Sequence, residues 1–128
     1  MSVTFDQHHI LLVDDEPFSR DLVSRMLWRC GFHEVSVAED GYRAIEFLNT
    51  GRITAVLTDF RMPGIHGLQL LKKIRMGETR APRNMVCGMV TSYAERHLVN
   101  LAIVLDIDAF LAKPVSLETL QRRLRRAF

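Results

Sequence analysis

Residues 9–15 read HILLVDD, from His9 to Asp15. The aliphatic run Ile10 to Val13 has neither a helical nor an alternating period, which is how a strand buried on both faces of a parallel sheet reads. It stops at two carboxylates, Asp14 and Asp15. A second apolar run, Thr54–Thr58, stops at Asp59, and a third, Ala109–Ala112, stops at Lys113-Pro114. Strand ends on one edge of an open parallel sheet converge, so three carboxylates and one ammonium are expected to meet. Packing does not call for such a cluster. Crowded carboxylates repel, and relief comes from a bound cation or from protonation. The pattern points to a hard-metal site with one carboxylate free to react.

Working outward, strand-like runs alternate with helix-period segments five times. Strand His9–Val13 is followed by a helix over Phe18–Cys30, with Pro17 suited to its first turn and Leu22, Val23, Met26, Leu27 and Cys30 on one face. Strand Glu34–Ala38 precedes a helix Gly41–Asn49, capped by Asp40, with Ala44, Ile45 and Leu48 inward. After Thr54–Thr58, Gly67, Leu70, Leu71 and Ile74 mark the inner face of a third helix. A strand over Asn84–Val90, a helix over Ala94–Leu105 and the strand Ala109–Ala112 follow. Ser116 caps a last helix that buries Leu117, Leu120, Leu124 and Phe128. Five βα units without repeats imply an α/β, doubly wound, flavodoxin-like (βα)5 domain with strand order 2-1-3-4-5. Its ligand crevice lies between strands one and three, where Asp14, Asp15 and Asp59 fall.

The 128 residues are 48% apolar and 25% charged, which suits one ordinary globular domain with a full core and no membrane span. The opening MSVTFDQHHILLVDD lacks the basic head and cleavage site of a signal peptide. Cys30 and Cys87 have no CxxC spacing and read as buried free thiols of a reducing cytoplasm. The five histidines show no zinc spacing, and His8-His9 read as an exposed lead-in to a strand. A net charge of +2 does not by itself imply nucleic acid. Arg122, Arg123, Arg125 and Arg126 crowd the last helix. They read as a solvated face near a helix C-terminus, with an acidic partner or a linker as the sharper alternative.

The turn DDEPFSR after the first strand has no glycine, which argues against a dinucleotide fingerprint. The chain also lacks a GxxxxGK[ST] loop and a GxSxG elbow. What remains is acidic. Mg²⁺ takes one or two carboxylates, waters and phosphate oxygens. Asp15 and Asp59 can supply carboxylates, Asp14 can act through water, and the backbone carbonyl of Arg61 can add an oxygen. The second Asp59 oxygen is then free to attack phosphorus, while Lys113 and the Thr91 hydroxyl meet the transferred group. Singly, each residue has an ordinary explanation as a turn, a cap or a Lys-Pro bend. Four strand ends each delivering what one reaction needs is a poor coincidence.

Together, LLVDDEP, LTDFRMPGIHG around Asp59, the strand-end Thr91, and FLAKP resemble the receiver domain of two-component response regulators, over Ile10–Phe128. The resemblance implies one receiver domain over residues 1–128, with a core of about 9–127 and no effector domain. It makes Asp59 the phosphoacceptor, fed by a histidine kinase or histidine phosphotransfer protein of a phosphorelay in the cytoplasm. It assigns Mg²⁺, with Mn²⁺ as a substitute, to Asp14, Asp15, Asp59 and the Arg61 carbonyl. Lys113 is implied to contact the phosphoryl group, Thr91 and Phe110 to form the switch, and the Lys113–Pro114 bond to be cis. Arg61 and Tyr93 stand at positions that tune phosphoryl lifetime, which suggests slow self-hydrolysis. Such a domain assists its own phosphorylation and hydrolysis and is not a dedicated enzyme; it touches neither membrane nor nucleic acid directly.

In the fourth helix, Leu98, Leu101, Ala102 and Leu105 form an inner stripe, whereas Val99, Ile103 and Val104 lie off it. Either these are scattered exposed aliphatics, or the fourth helix and fifth strand carry a phospho-dependent homodimer or partner contact. A phosphodonor protein would dock nearer Pro17, Phe18 and Leu22. Two other classes stay open: a haloacid-dehalogenase-like phosphatase, for which Asp14 and Glu16 give only DxE, and a phosphorylation-independent interaction module.

Overall fold

A computed structural model gives the architecture; it describes residues 4–92, 100 and 103–128. Five parallel strands, β1 (His9–Val13), β2 (Glu34–Ala38), β3 (Ala55–Thr58), β4 (Val86–Thr91) and β5 (Ala109–Ala112), form one sheet in the order β2-β1-β3-β4-β5. The expected order is the one observed. β3 pairs with both β1 and β4, opposing Val13 to Thr58 and Thr58 to Met89. β4 then opposes Thr91 to Ala112 of β5. These registers bring the C-terminal ends of β1, β3, β4 and β5 to one edge.

The aliphatic run of β1 is buried on both sides, as its lack of period requires. Leu11 and Val13 join Leu48, Leu70, Leu71 and Ile74 on the face covered by helices α2 (Gly41–Leu48) and α3 (Gly67–Arg75). Ile10 and Leu12 join Val23, Leu27, Leu120 and Leu124 on the face covered by α1 (Pro17–Cys30) and the C-terminal helix Leu117–Ala127. Each fully buried leucine contributes roughly 2 kcal/mol of transfer free energy.

Helix starts are set by short polar side chains. Asp40 caps α2 and Ser116 caps the C-terminal helix, as expected. Two caps escaped the sequence reading. Glu16 accepts the N–H groups of Phe18 and Ser19, so α1 begins at Pro17. His66 forms a capping box with Gln69 at the start of α3. The fourth strand runs over Val86–Thr91, not Asn84–Val90, because Pro82 and Met85 close a turn first. Leu22, expected on the inner face of α1, is 44% exposed; Val23 and Leu27 fill that face instead. His9 is no exposed lead-in: it opens β1, half-buried, with its ring 3.2 Å from Glu34 and 2.6 Å from Ser36.

The fourth helix expected over Ala94–Leu105 falls mostly outside the described residues, and Tyr93, Leu98, Val99, Leu101 and Ala102 with it. Of its end, Leu105 packs against the core while Ile103 and Val104 are exposed. This end is anchored by Arg75. Its guanidinium donates to the carbonyls of Arg83, Met85, Leu105 and Asp106 and to Asp108 Oδ2, which also accepts from Cys87 N–H. Cys30 and Cys87 are free thiols, as expected, but only Cys87 is buried; Cys30 is partly exposed. Burial pushes the Cys87 thiol up to about 12 and raises that of Cys30 as well.

Candidate functional site

The acidic residues occupy the crevice that the strand order creates. Asp14 N–H bonds to the Ala38 carbonyl and Asp59 N–H to the Val13 carbonyl, so both continue the sheet ladder one step beyond the paired strands. Their carboxylates and that of Asp15 lie within 4.8 Å of one another. Lys113 arrives from β5, two strands from β3, past the buried Thr91 at the end of β4; its N–H bonds to the Thr91 carbonyl at 2.9 Å. Its four-carbon stem closes the gap, and Nζ donates to Asp14 Oδ2 at 2.9 Å and to Asp59 Oδ2 at 3.0 Å. The Lys113–Pro114 peptide is cis, as the resemblance implied.

The three carboxylates are not equivalent. Asp14 is buried; its Oδ1 accepts from Glu16 N–H and its Oδ2 from Lys113. Asp59 is only partly buried; its Oδ1 accepts from Phe60 N–H at 2.7 Å, and its Oδ2 shares the lysine. Asp15 is exposed and has no hydrogen bond or ion pair among the described residues. One ammonium against three carboxylates leaves a deficit of positive charge, and hard oxygen donors of this kind suit Mg²⁺. The donor set therefore fits the ion, which Asp15 and Asp59 would hold directly, with Asp14 one step behind.

The electrostatics agree. Burial raises the Asp59 carboxyl above the usual carboxylate range, and the charge of Asp14 adds to this, against the pull of Lys113 and the Phe60 N–H. For Lys113, burial acts downward, but the hydrogen bonds and charges of Asp14 and Asp59 outweigh it and lift the ammonium above its ordinary 10.5.

A cleft of about 450 Å³ opens over the cluster, lined by Asp15, Phe60, Arg61, Met62, Pro63 and His66. Arg61 thus shares a cleft wall with Asp15. Phe110, opposite Met89 in the sheet, is partly buried against the core. Tyr93 lies outside the described residues. Gly67, expected only as an inner-face residue of α3, packs directly against the site. Its N–H bonds to the Phe60 carbonyl, and a Cβ there would sit 2.1 Å from the carbonyl oxygen of Asp59. The LTDFRMPGIHG stretch contained the signal, but only the helix packing gives it meaning.

A doubly wound domain with an Asp–Asp–Asp–Lys cluster at its switch point is the class that this geometry defines. Residues 10–125 match the family described as response regulator receiver domain, and the chain belongs to that family. Among its relatives is the chemotaxis protein CheY-3 of Vibrio cholerae, 34% identical over 119 residues, which cover 93% of this chain and 90% of that protein. The chemotaxis protein CheY of Pseudomonas aeruginosa is 29% identical over 119 residues, 93% of this chain and 94% of that one. The structure of Vibrio cholerae CheY4 superposes with a TM-score of 0.85 at 27% identity, covering 95% of this chain and 99% of that one.

Proposed function

We propose that this receiver domain accepts a phosphoryl group on Asp59 from a phosphohistidine donor, a histidine kinase or phosphotransfer protein, in a Mg²⁺-dependent reaction. The single observation that carries the reading is the shared lysine: Lys113 Nζ bridges Asp14 and Asp59 beside Asp15, which is unpaired among the described residues. An Asp59 oxygen attacks phosphorus in line, the P–N bond to the donor imidazole breaks, and the electron pair leaves with that nitrogen. Asp15, Asp59 and the Arg61 carbonyl would hold Mg²⁺, which when bound neutralises charge on the transferred oxygens. Lys113 turns from carboxylates to those oxygens, and the Thr91 hydroxyl, at the end of β4, donates to them.

The added group brings roughly 1.5–2 negative charges and three acceptors to the end of β4. Drawing Thr91 toward it changes the space beside Phe110, a packing switch that needs only a few kcal/mol of differential interaction. The exposed Ile103 and Val104, 72% and 77% accessible, support an output surface around the fourth helix and fifth strand, for a partner or a second copy. Phe18 and Leu22 border a groove of about 260 Å³ with Ser92, Lys113, Pro114 and Val115, which suits docking of the phosphodonor protein beside the site. The domain works in the cytoplasm and assists only its own phosphorylation and hydrolysis.

Incubation with a small phosphodonor and MgCl2, followed by intact mass, tests the reading. Wild type should gain one phosphoryl mass and Asp59→Asn none. Equal labelling of both, or Mg²⁺-independent labelling, would refute it. Multiple turnover of a phosphate ester, lost in Asp14→Asn but kept in Asp59→Asn, would point instead to a phosphatase.

A further inference from the structure

We propose that Arg20 is a positioning residue for Asp15, holding its carboxylate toward the cation through the backbone and not through charge. The inference rests on the Mg²⁺ reading above and extends it to a residue outside the acid cluster.

Every polar atom of Asp14 has a distinct anchor. Its N–H is tied to Ala38 of β2, Oδ1 to the Glu16 N–H, and Oδ2 to Lys113. The carbonyl is the remaining group, and Arg20 Nη1 donates to it at 2.7 Å. That carbonyl belongs to the peptide leading into Asp15. Peptide planarity means that fixing the oxygen fixes the plane, and with it the start of the Asp15 Cα–Cβ vector. Asp15 has no other restraint on its side chain among the described residues.

Arg20 is spent on this one contact. It forms no ion pair among the described residues, although Asp21 is its neighbour in sequence; Asp21 pairs instead with Arg25. A guanidinium near the start of α1 also opposes the helix dipole, which favours anions there. Neither helix stability nor charge pairing explains its place, whereas the backbone bond does.

The two possible effects of Arg20 on a bound cation have opposite signs. As a nearby positive charge, Arg20 would weaken Mg²⁺ binding, so its removal would tighten it. As a backbone anchor, it strengthens binding by preventing Asp15 from turning to solvent, so its removal would loosen it. Loss of an outer partner of a metal ligand typically costs about tenfold or more in affinity.

Isothermal titration of the full chain with MgCl2, without phosphodonor, separates them. R20M should bind Mg²⁺ about tenfold more weakly than wild type. R20K, which can still donate to the carbonyl, should recover most of that loss. The MgCl2 concentration for half-maximal Asp59 labelling should shift in parallel, with little change in the rate at saturation. Equal or tighter binding by R20M overturns the role of Arg20 alone. A wild type that binds no Mg²⁺ overturns both this inference and the reading beneath it. If R20M lacks a cooperative thermal transition, R20A, which also cannot donate to the carbonyl, carries the same comparison.

Discussion

Gly67 packs so closely on Asp59 that a Cβ at position 67 would lie 2.1 Å from the Asp59 carbonyl oxygen and 3.0 Å from its carbonyl carbon. The first residue of α3 is thus in contact with the backbone of Asp59, and neither partner can yield without moving a strand end or a helix. Gly67→Ala should cost about 3 kcal/mol in urea unfolding and slow Asp59 labelling. Gly51→Ala is the control. Nothing lies within 4 Å of its Cβ, but φ is +76°, so about 1 kcal/mol is expected, with labelling unchanged.

Among the described residues, Lys113 is the one cation that donates to the carboxylates of Asp14 and Asp59. Lys113→Met leaves Asp14 and Asp59 facing each other and should lower stability at pH 7 by about 2 kcal/mol. Because the folded protein raises the Lys113 pKa, its contribution is fully present below the ordinary 10.5 and fades as pH rises through the higher folded value. The wild type–mutant gap should therefore close only at strongly alkaline pH. Mg²⁺ should raise the Tm of Lys113→Met by more than that of wild type, because the ion supplies the missing charge.

Asp59 shifts in the same direction, but from a carboxyl's ordinary 3.8. Burial lifts its folded pKa, so its contribution to stability is present at low pH and is lost as pH rises through that value. Without Mg²⁺ at neutral pH, Asp59→Asn should melt roughly 2–5 °C above wild type. The difference should shrink on acidification through the Asp59 titration, as wild type itself becomes neutral there. Thermal scans from pH 7 downward measure it, and a mutant less stable than wild type at pH 7 would contradict the electrostatics.

Arg61 lines the same cleft as Asp15, and on the proposed function water would reach a phosphorylated Asp59 from this side. Arg61→Ala should shorten the life of the phosphorylated protein by several-fold, about 1 kcal/mol in barrier. Decay of the phosphorylated mass with time measures this, and an unchanged rate would remove Arg61 from the account.

Arg75 satisfies four carbonyls and the Asp108 carboxylate at the opposite end of the sheet. Arg75→Met should cost about 3 kcal/mol, since it strands partly buried acceptors. Beside it, Asp106 holds φ +54°, a left-handed conformation that glycine adopts freely. Asp106→Gly should be neutral or stabilise by up to about 1 kcal/mol in the same urea assay.

The amino-acid sequence by itself determined the alternation of strands and helices, the parallel sheet and the gathering of Asp14, Asp15, Asp59 and Lys113. Those features follow from local period and from where each apolar run stops, and right-handed crossovers leave few ways to order five βα units. The tertiary structure alone decided which partner each carboxylate takes. Lys113 and Asp14 are 99 residues apart, and their bond depends on strand order and on the reach of one side chain past β4. The same holds for Gly67 against Asp59, for Arg75 among its carbonyls and for the exposure of Leu22. Periodicity says which face of a helix is apolar, but how far that face is covered depends on the neighbouring element.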